Sequence, residues 1–328
     1  MTDVRFYEIN NDFEGLRIDS WMKRKFPGLN YPRIQIFLRT GQIRIDGRRA
    51  KPGLRLKTGQ IVRVPPIFEK QKEVPKNPPL IKSKDIQLIQ KSVLYCDDNY
   101  LVLNKPFGLP VQGGSKVKLN LDSLLTYLKF DKIEKPHLVH RLDKHTSGIL
   151  VLARNKETAK FLSENFYLKK IRKLYWAICS GVPNQTKGVI ETKIGSLIQN
   201  NRELSSVKEE DGKYAKTRYQ LLDKTGSNVA LVALEPITGR KHQLRVHLAK
   251  VLNTPVLGDG KYGGKKAFIP NKNIKNSLFL HARAIRIPLK TSGYLEVSAP
   301  IPQHFKLACI DLNLEIVSSF SEFIDPKL

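Results

Sequence analysis

Cysteine is scarce in this chain. Its 328 residues hold only Cys96, Cys179 and Cys309, scattered and odd in number, with no Cys-x-x-Cys pair. That excludes a disulfide framework and a thiolate zinc site. No P-loop and no Rossmann fingerprint is present, which argues against nucleotide hydrolysis and hydride transfer. Long apolar runs are missing: none approaches the length of a membrane-spanning helix, and neither end carries a lipidation signal. The start, Met1-Thr2-Asp3-Val4-Arg5-Phe6, lacks the charged-then-apolar pattern of a secretory signal, so a cytoplasmic protein is expected. Acidic residues are few as well, 30 against 57 Lys and Arg, for a net charge of +27. So large an excess implies a polyanionic partner, nucleic acid before an anionic membrane surface. With 41% hydrophobic and 27% charged residues the composition is that of a globular protein, and the length suggests two domains.

Residues 1–66 make the first expected domain, with its pattern clearest from Gly15 onward. Leu16, Ile18, Trp21 and Met22 recur at helical spacing, and Phe26-Pro27-Gly28 breaks that helix. Asn30 can cap a second helix whose apolar positions are Ile34, Ile36, Phe37 and Leu38, and Gly41 stops it. Ile43-Arg44-Ile45 is a short strand before a turn at Asp46-Gly47. Arg33, Arg39, Arg44, Arg48, Arg49, Lys51, Arg55 and Lys57 crowd around these elements, and such a cluster can neutralise several phosphates without reading bases. The segments Arg17-Ile18-Asp19, Arg33-Ile34-Gln35, Arg39-Thr40-Gly41-Gln42-Ile43, Asp46-Gly47 and Leu56-Lys57-Thr58-Gly59 resemble an S4 domain, an RNA-binding module. The resemblance implies RNA contacts from Arg33, Arg39, Arg44 and Arg49. Residues 67–91, rich in Lys and Pro around Val74-Pro75-Lys76-Asn77-Pro78-Pro79, read as a linker.

The second expected domain, residues 92–328, carries the chemistry. Two short strands, Val93–Cys96 and Tyr100–Leu103, lead to the irregular loop Asn104-Lys105-Pro106-Phe107-Gly108-Leu109-Pro110-Val111-Gln112-Gly113-Gly114. His140-Arg141-Leu142-Asp143-Lys144-His145-Thr146-Ser147-Gly148 then sets one carboxylate in a polar loop that opens onto the buried strand Gly148–Ala153. Asn155 can cap a helix over 156–169, and Lys173–Ile178 is a strand. Strands follow at 214–222 and 228–235. Thr238-Gly239-Arg240-Lys241-His242-Gln243-Leu244-Arg245-Val246-His247-Leu248 opens a helix with Thr238 as a candidate cap. The spacing of His242 and His247 does not stack both rings on one helical face, so a metal pair is not indicated. Gly258-Asp259-Gly260-Lys261-Tyr262-Gly263 is a turn-rich loop, Leu278–Ala282 a strand, and Leu295–Pro300 an edge strand.

These segments, in this order, resemble the RluA-type pseudouridine synthases. Their signatures are an Asn-Lys-Pro loop, a His-Arg-Leu-Asp loop ending in Thr-Ser-Gly, a Lys-x-Tyr-x-Ala strand and a Thr-Gly-Arg-x-His-Gln-x-Arg-x-His segment. Gln112 stands where the family usually has His, and His145 where it often has Asp. The continuation 112–115 resembles the RluC branch more than the RluD branch, and the S4-like first domain points to large-subunit ribosomal RNA.

The resemblance implies an α+β fold, with a mixed, largely antiparallel sheet around a central RNA cleft and a tethered S4 module. It implies that Asp143 is the nucleophile, that Arg245 pairs with it, and that Tyr175 stacks on the flipped uracil. Arg141 would fill the space the base leaves, and Lys105, Arg240 and Gln243 would contact RNA. His140 and His145 are assigned to loop structure.

Isomerising uridine breaks the N1–C1′ bond and forms C5–C1′, with nothing oxidised or imported, so no cofactor and no metal is expected. A nucleophilic carboxylate must stay ionised in an enclosed site, a need that a fixed guanidinium meets. The expected partner is large-subunit ribosomal RNA or its assembly intermediate, bound by a monomer. One rival is a non-catalytic RNA-binding or ribosome-assembly protein with the same basic surface. Another is a zinc-dependent base deaminase, whose His-x-Glu and Pro-Cys-x-x-Cys ligands the chain lacks.

Overall fold

The computed structural model describes residues 4–66, 81–113, 119–199, 202–208, 210–270, 274, 277–316 and 324. The chain divides into two units, Met1–Leu80 and Ile81–Leu328.

In the first unit β1 (Arg5–Glu8) precedes helices α1 (Ile18–Lys25) and α2 (Tyr31–Arg39), followed by β2 (Arg44–Ile45), β3 (Arg48–Arg49) and β4 (Ile61–Val64). The strands form an antiparallel sheet in the order β1-β4-β2-β3. Ile18, Trp21 and Met22 of α1 and Ile34, Phe37 and Leu38 of α2 turn one face each onto Ile45, Val62 and Val64 of the sheet. Ile36 points away and is exposed. Asn30 caps α2 by accepting from the Arg33 N–H at 3.0 Å. Asp46 and Gly47 both have positive φ, the type I′ turn that a two-residue hairpin favours. The Asp46 carboxylate accepts from the Ile61 N–H at 2.8 Å, tying that turn to β4.

Residues 67–80 of the expected linker, and Gly114 and Ser115, lie outside the described residues. The rest of that linker is not extended chain: Ser83–Lys91 is a helix, α3, in the second unit. Its Lys and Gln residues mask an apolar stripe ending at the buried Ile89, and the Asp85 side chain accepts from the Lys82 N–H at 3.2 Å.

After α3 the second unit runs β5 (Val93–Cys96), β6 (Tyr100–Lys105), α4 (Leu121–Leu124), β7 (His137–Leu138), β8 (Ser147–Ala153), α5 (Lys156–Tyr167), β9 (Arg172–Ser180), β10 (Lys187–Gln199), β11 (Arg202–Val207), β12 (Lys213–Thr225), β13 (Val229–Pro236), α6 (Gln243–Val246), β14 (Leu280–Pro288), β15 (Tyr294–Ser298) and α7 (Gln303–Asp311). The strands make one eleven-stranded sheet, in the order β11-β10-β12-β13-β9-β14-β8-β6-β5, with β15 beside β14 and β7 beside β8. The fold is α+β with a mixed sheet: among the described pairings only β14 and β8 run parallel. Asn155 caps α5, accepting from the Thr158 N–H at 2.8 Å. β10, β11 and α7 have no counterpart among the expected elements.

Every residue of β8 is buried, which is why it reads as an unbroken apolar run. Antiparallel β6 lies on one side and parallel β14 on the other. Gly148 makes that contact possible: its φ is +103°, and a Cβ there would sit 2.1 Å from the Ala282 carbonyl oxygen. The loop before β8 is thereby seated beside β14 and, one strand further, β9.

Candidate active site

The polar loop from Val139 to Thr146 is clamped along its length. His140 Nε2 accepts from the Val151 N–H at 2.8 Å, and its ring packs 4.7 Å from Phe166. Burial pulls the His140 pKa down to about 3, so the ring is a neutral acceptor. The Thr146 N–H donates to the Asp143 carbonyl at 3.1 Å. Ser147 and His281 Nδ1 are bonded at 2.9 Å, joining the loop's end to β14. At the loop's middle, the buried Lys105 ammonium donates to the carbonyls of Pro106 and Leu109, both at 2.9 Å, and of Lys144 at 3.3 Å. The residues around Asp143 are therefore fixtures that hold one carboxylate in place.

That carboxylate stands at the mouth of α6. Its Oδ2 lies 3.5 Å from His242 Nε2 and 3.8 Å from Arg245 Nη1. Oδ1 has no protein partner among the described residues. Arg245 is itself gripped by Asp259, donating from Nε at 2.8 Å and from Nη2 at 2.6 Å. Its guanidinium also lies 4.9 Å from the centre of the Tyr262 ring. The strongest partner of Arg245 is thus Asp259, which the sequence did not single out, and Asp143 takes the remaining Nη1 edge.

His242 adopts a left-handed backbone, φ 54° and ψ 23°, just before α6. For a non-glycine residue that is a strained conformation of the kind often stored at functional sites. The Tyr262 hydroxyl bonds His242 Nδ1 and accepts from the Ser205 N–H at 3.3 Å. Burial lowers the His242 pKa to about 4, against the opposing pull of Asp143, so the ring is neutral at ordinary pH. The bonding assigns its proton to Nε2, with Nδ1 accepting from the phenol, and that proton faces Asp143.

Asp143 opens onto a cleft of about 970 Å³, within the range that holds a small ligand. Its lining includes the loop with Arg141 and the segment Pro236–Arg245 with Arg240. The floor includes Lys173 and Tyr175, which strand alternation puts on one face of β9. Burial first, and then the Asp143 charge, push the Tyr175 phenol above its ordinary pKa, so it stays protonated at neutral pH.

The structure corrects three expectations. Lys105 is not at the surface: with no exposed area and three carbonyls around its ammonium, it is a loop clamp. Gln243 is buried, and its amide is spent on Thr238, the Arg240 N–H, the Lys216 carbonyl and Thr217. Thr238 caps no helix; it accepts from the Lys216 N–H on β12, and α6 begins only at Gln243. Arg245 does pair with Asp143, as expected, and has Asp259 as a second and closer partner.

His247, whose imidazole could in principle bind a metal, has both ring nitrogens 3.0 Å from threonine hydroxyls, those of Thr192 and Thr217. The structure therefore brings together Asp143, Arg245, Tyr175, Arg141 and Arg240. Arg33, Arg39, Arg44 and Arg49 belong to the first unit, all exposed and none paired with a carboxylate among the described residues. Sequence inspection missed the roles of His242, Asp259, Tyr262 and Lys173. The signal for Lys173 was its two-residue spacing from Tyr175 in a strand; the other three lie in segments whose pattern is plain but assigns those side chains no task.

Comparison with known proteins gives the family. A family model described as RNA pseudouridylate synthase matches residues 99–250, which include the loop, β9 and α6. The ribosomal large subunit pseudouridine synthase C of Rickettsia conorii is 35% identical over 294 residues, spanning 88% of this chain and 95% of that protein. Its Vibrio cholerae counterpart is 32% identical over 315 residues, spanning 94% and 96%. The solved structure of human RNA pseudouridylate synthase domain containing 4 is 33% identical, with a TM-score of 0.60, and covers 70% of this chain and 96% of that one. A carboxylate loop built this way, in a chain alike to these enzymes over most of its length, makes the protein a member of the RluA-type pseudouridine synthase family.

Proposed function

We propose that this enzyme converts uridines of large-subunit ribosomal RNA to pseudouridine, with Asp143 as the nucleophile on an extruded uridine. The observation that carries the proposal is the one-sided restraint of Asp143. Its Oδ2 faces Arg245 and His242 while Oδ1 is left to the cleft. The reaction breaks N1–C1′, turns the uracil, forms C5–C1′, releases the C5 hydrogen as a proton and protonates N1. Either route to it, through the ribose carbon or through the base, needs a carboxylate oxygen beside the glycosidic bond. Tyr175 supplies the stacking surface for the base, and the rigid floor of β9 keeps that surface in register with Asp143. Arg141 and Arg240 both line the cleft, which supports a role in holding RNA around the extruded nucleotide. A duplex-embedded base must leave the stack to enter such a cleft, which selects for sites where unstacking costs little.

The substrate class rests on the names of the curated relatives, which act on the ribosomal large subunit. The first unit is proposed to be an S4-type RNA-binding module in a monomeric, cytoplasmic enzyme. Arg39 and Arg49, with Lys51, border an open groove of about 700 Å³, and such exposed cations bind phosphate with strong salt dependence. The test is tritium release from ribosomal RNA carrying uridine labelled at C5. The native protein is expected to release label to water and Asp143→Asn to release none. No release by the native protein, on free RNA and on immature subunits alike, would move the assignment to a binding-only ribosome-assembly factor.

A further inference from the structure

Lys173 is a cation that the mechanism above leaves unused. Its side chain borders the cleft and reaches solvent only in part. Strand pairing decides which neighbours it has. Tyr175 of β9 stands opposite Leu234 of β13, so Lys173 stands toward Pro236 on the same face, the cleft face. Arg172 and Leu174 take the other face, together with Glu235. Glu235 is buried there, and Arg172 holds both its oxygens, at 2.6 Å and 2.8 Å. The nearest buried carboxylate is therefore on the wrong side of the sheet and already neutralised. Among the described residues the Lys173 ammonium has no hydrogen bond and no ion pair. Surrounding protein, opposed by the Glu235 charge, pulls its pKa down to about 8, as happens to an ammonium with little water around it and no counter-ion.

We propose that Lys173 binds a backbone phosphate of the extruded nucleotide and completes its ion pair only when RNA enters the cleft. The proposal deepens the pseudouridine synthase assignment and rests on it. Residues two apart in a strand are separated by roughly 6–7 Å. A nucleotide whose base lies on Tyr175 therefore reaches Lys173 with its sugar-phosphate rather than its ring. A dehydrated cation also gains more from a full negative charge than from a neutral carbonyl. The empty partner position selects for RNA: the cost of the buried lysine is offset only when a phosphate arrives.

The experiment compares tritium release by the native protein, Lys173→Met and Lys173→Arg over a range of RNA and salt concentrations. Lys173→Met is expected to lower kcat/KM by roughly 10- to 100-fold, chiefly through KM, as befits loss of a charge-assisted hydrogen bond. Its slope of log(kcat/KM) against log salt should be shallower by about 0.7–0.9, the signature of one phosphate contact. Lys173→Arg should restore the slope. Once the target uridine is mapped, a methylphosphonate on either side of it should impair the native enzyme and leave Lys173→Met indifferent.

Unchanged kinetics in Lys173→Met overturn the proposal, and so does a slower rate with an unchanged salt slope, which marks a structural lysine. Should Lys173→Met fail to fold, the methylphosphonate series on native protein decides alone, and indifference to both substitutions refutes it. Label release by the native enzyme in the same series keeps the parent assignment standing whichever way Lys173 falls.

Discussion

Asp259→Asn is the substitution that most directly tests how the site is held. Asp259 is almost wholly buried, as is its partner Arg245, and the two share bonds of 2.8 Å and 2.6 Å. Asparagine keeps the shape and withdraws the charge, leaving a guanidinium in a dry place with only the more distant Asp143 to answer it. Breaking one side of a buried pair costs about 3–5 kcal/mol. For a unit of this size that lowers Tm by about 10 °C. Activity should fall further than stability explains. Arg245 no longer has a fixed Nη1 edge for Asp143, and a misplacement near 1 Å at a reacting group costs about 100-fold. Because Asp259 does not line the cleft, the loss should appear in kcat with KM unchanged.

The double variant Arg245→Met/Asp259→Leu separates the two effects. It removes both buried charges and should recover most of the Tm while remaining inactive. Thermal unfolding by circular dichroism and tritium release measure both quantities on the same samples. If Asp259→Asn keeps the native Tm and kcat, the pair neither holds the fold nor positions Asp143, and the restraint on the carboxylate must come from elsewhere.

Other outcomes follow from the same contacts. Gly148→Ala would bring a Cβ to 2.1 Å from the Ala282 carbonyl at a φ of +103°, so a loss of at least ~3 kcal/mol in urea unfolding is expected, and a native midpoint would show that the close approach of β14 does not depend on glycine. His247 and His281 are fully buried, with pKa lowered mainly by burial to about 4 and about 3. The unfolded chain protonates them at ~6.5, so stability is complete above that pH and drains away as pH falls toward the folded values, by about 2 kcal/mol per ring at pH 5. In urea titrations at pH 7 and pH 5, His281→Gln should show a visibly smaller pH dependence than the native protein; an identical dependence excludes His281 as a source. Replacing both Arg39 and Arg49 by Ala should reduce the salt slope of RNA binding by about 1.5 while sparing release from a short oligonucleotide around the target; an unaltered slope would take the first unit out of RNA binding.

Much of the scaffold is legible because it obeys local rules. The apolar run after Thr146 is a strand buried on both faces, as its short length and the glycine at its start suggest. Asn30 and Asn155 stand at helix starts and accept the third N–H, as their residue type and position suggest. The segments holding Asp143, Tyr175 and Arg245 are equally plain, and the cleft joins them. The misreadings share one cause. Lys105 and Gln243 look like RNA contacts because they are polar and near the signatures, but burial turns their hydrogen bonds inward. Ser83–Lys91 looks like linker because its polar residues outnumber its apolar ones, though Ile86 and Ile89, three apart, share a face.

The partner's charge, the buried strand β8, the Asn30 and Asn155 caps, and the carboxylate with its family follow from the order of residues alone. Composition, spacing and the fixed periods of helix and strand are enough for them. Which groups restrain that carboxylate is settled by packing between distant parts of the chain. The parallel seating of β14 on β8 brings Ser147 to His281, and the fold around α6 brings Asp259, Tyr262 and His242 to Arg245 and Asp143. The same packing turns Glu235 away from Lys173. Pairing energies of this kind depend on distance and burial between residues far apart in the chain, and no local pattern records either.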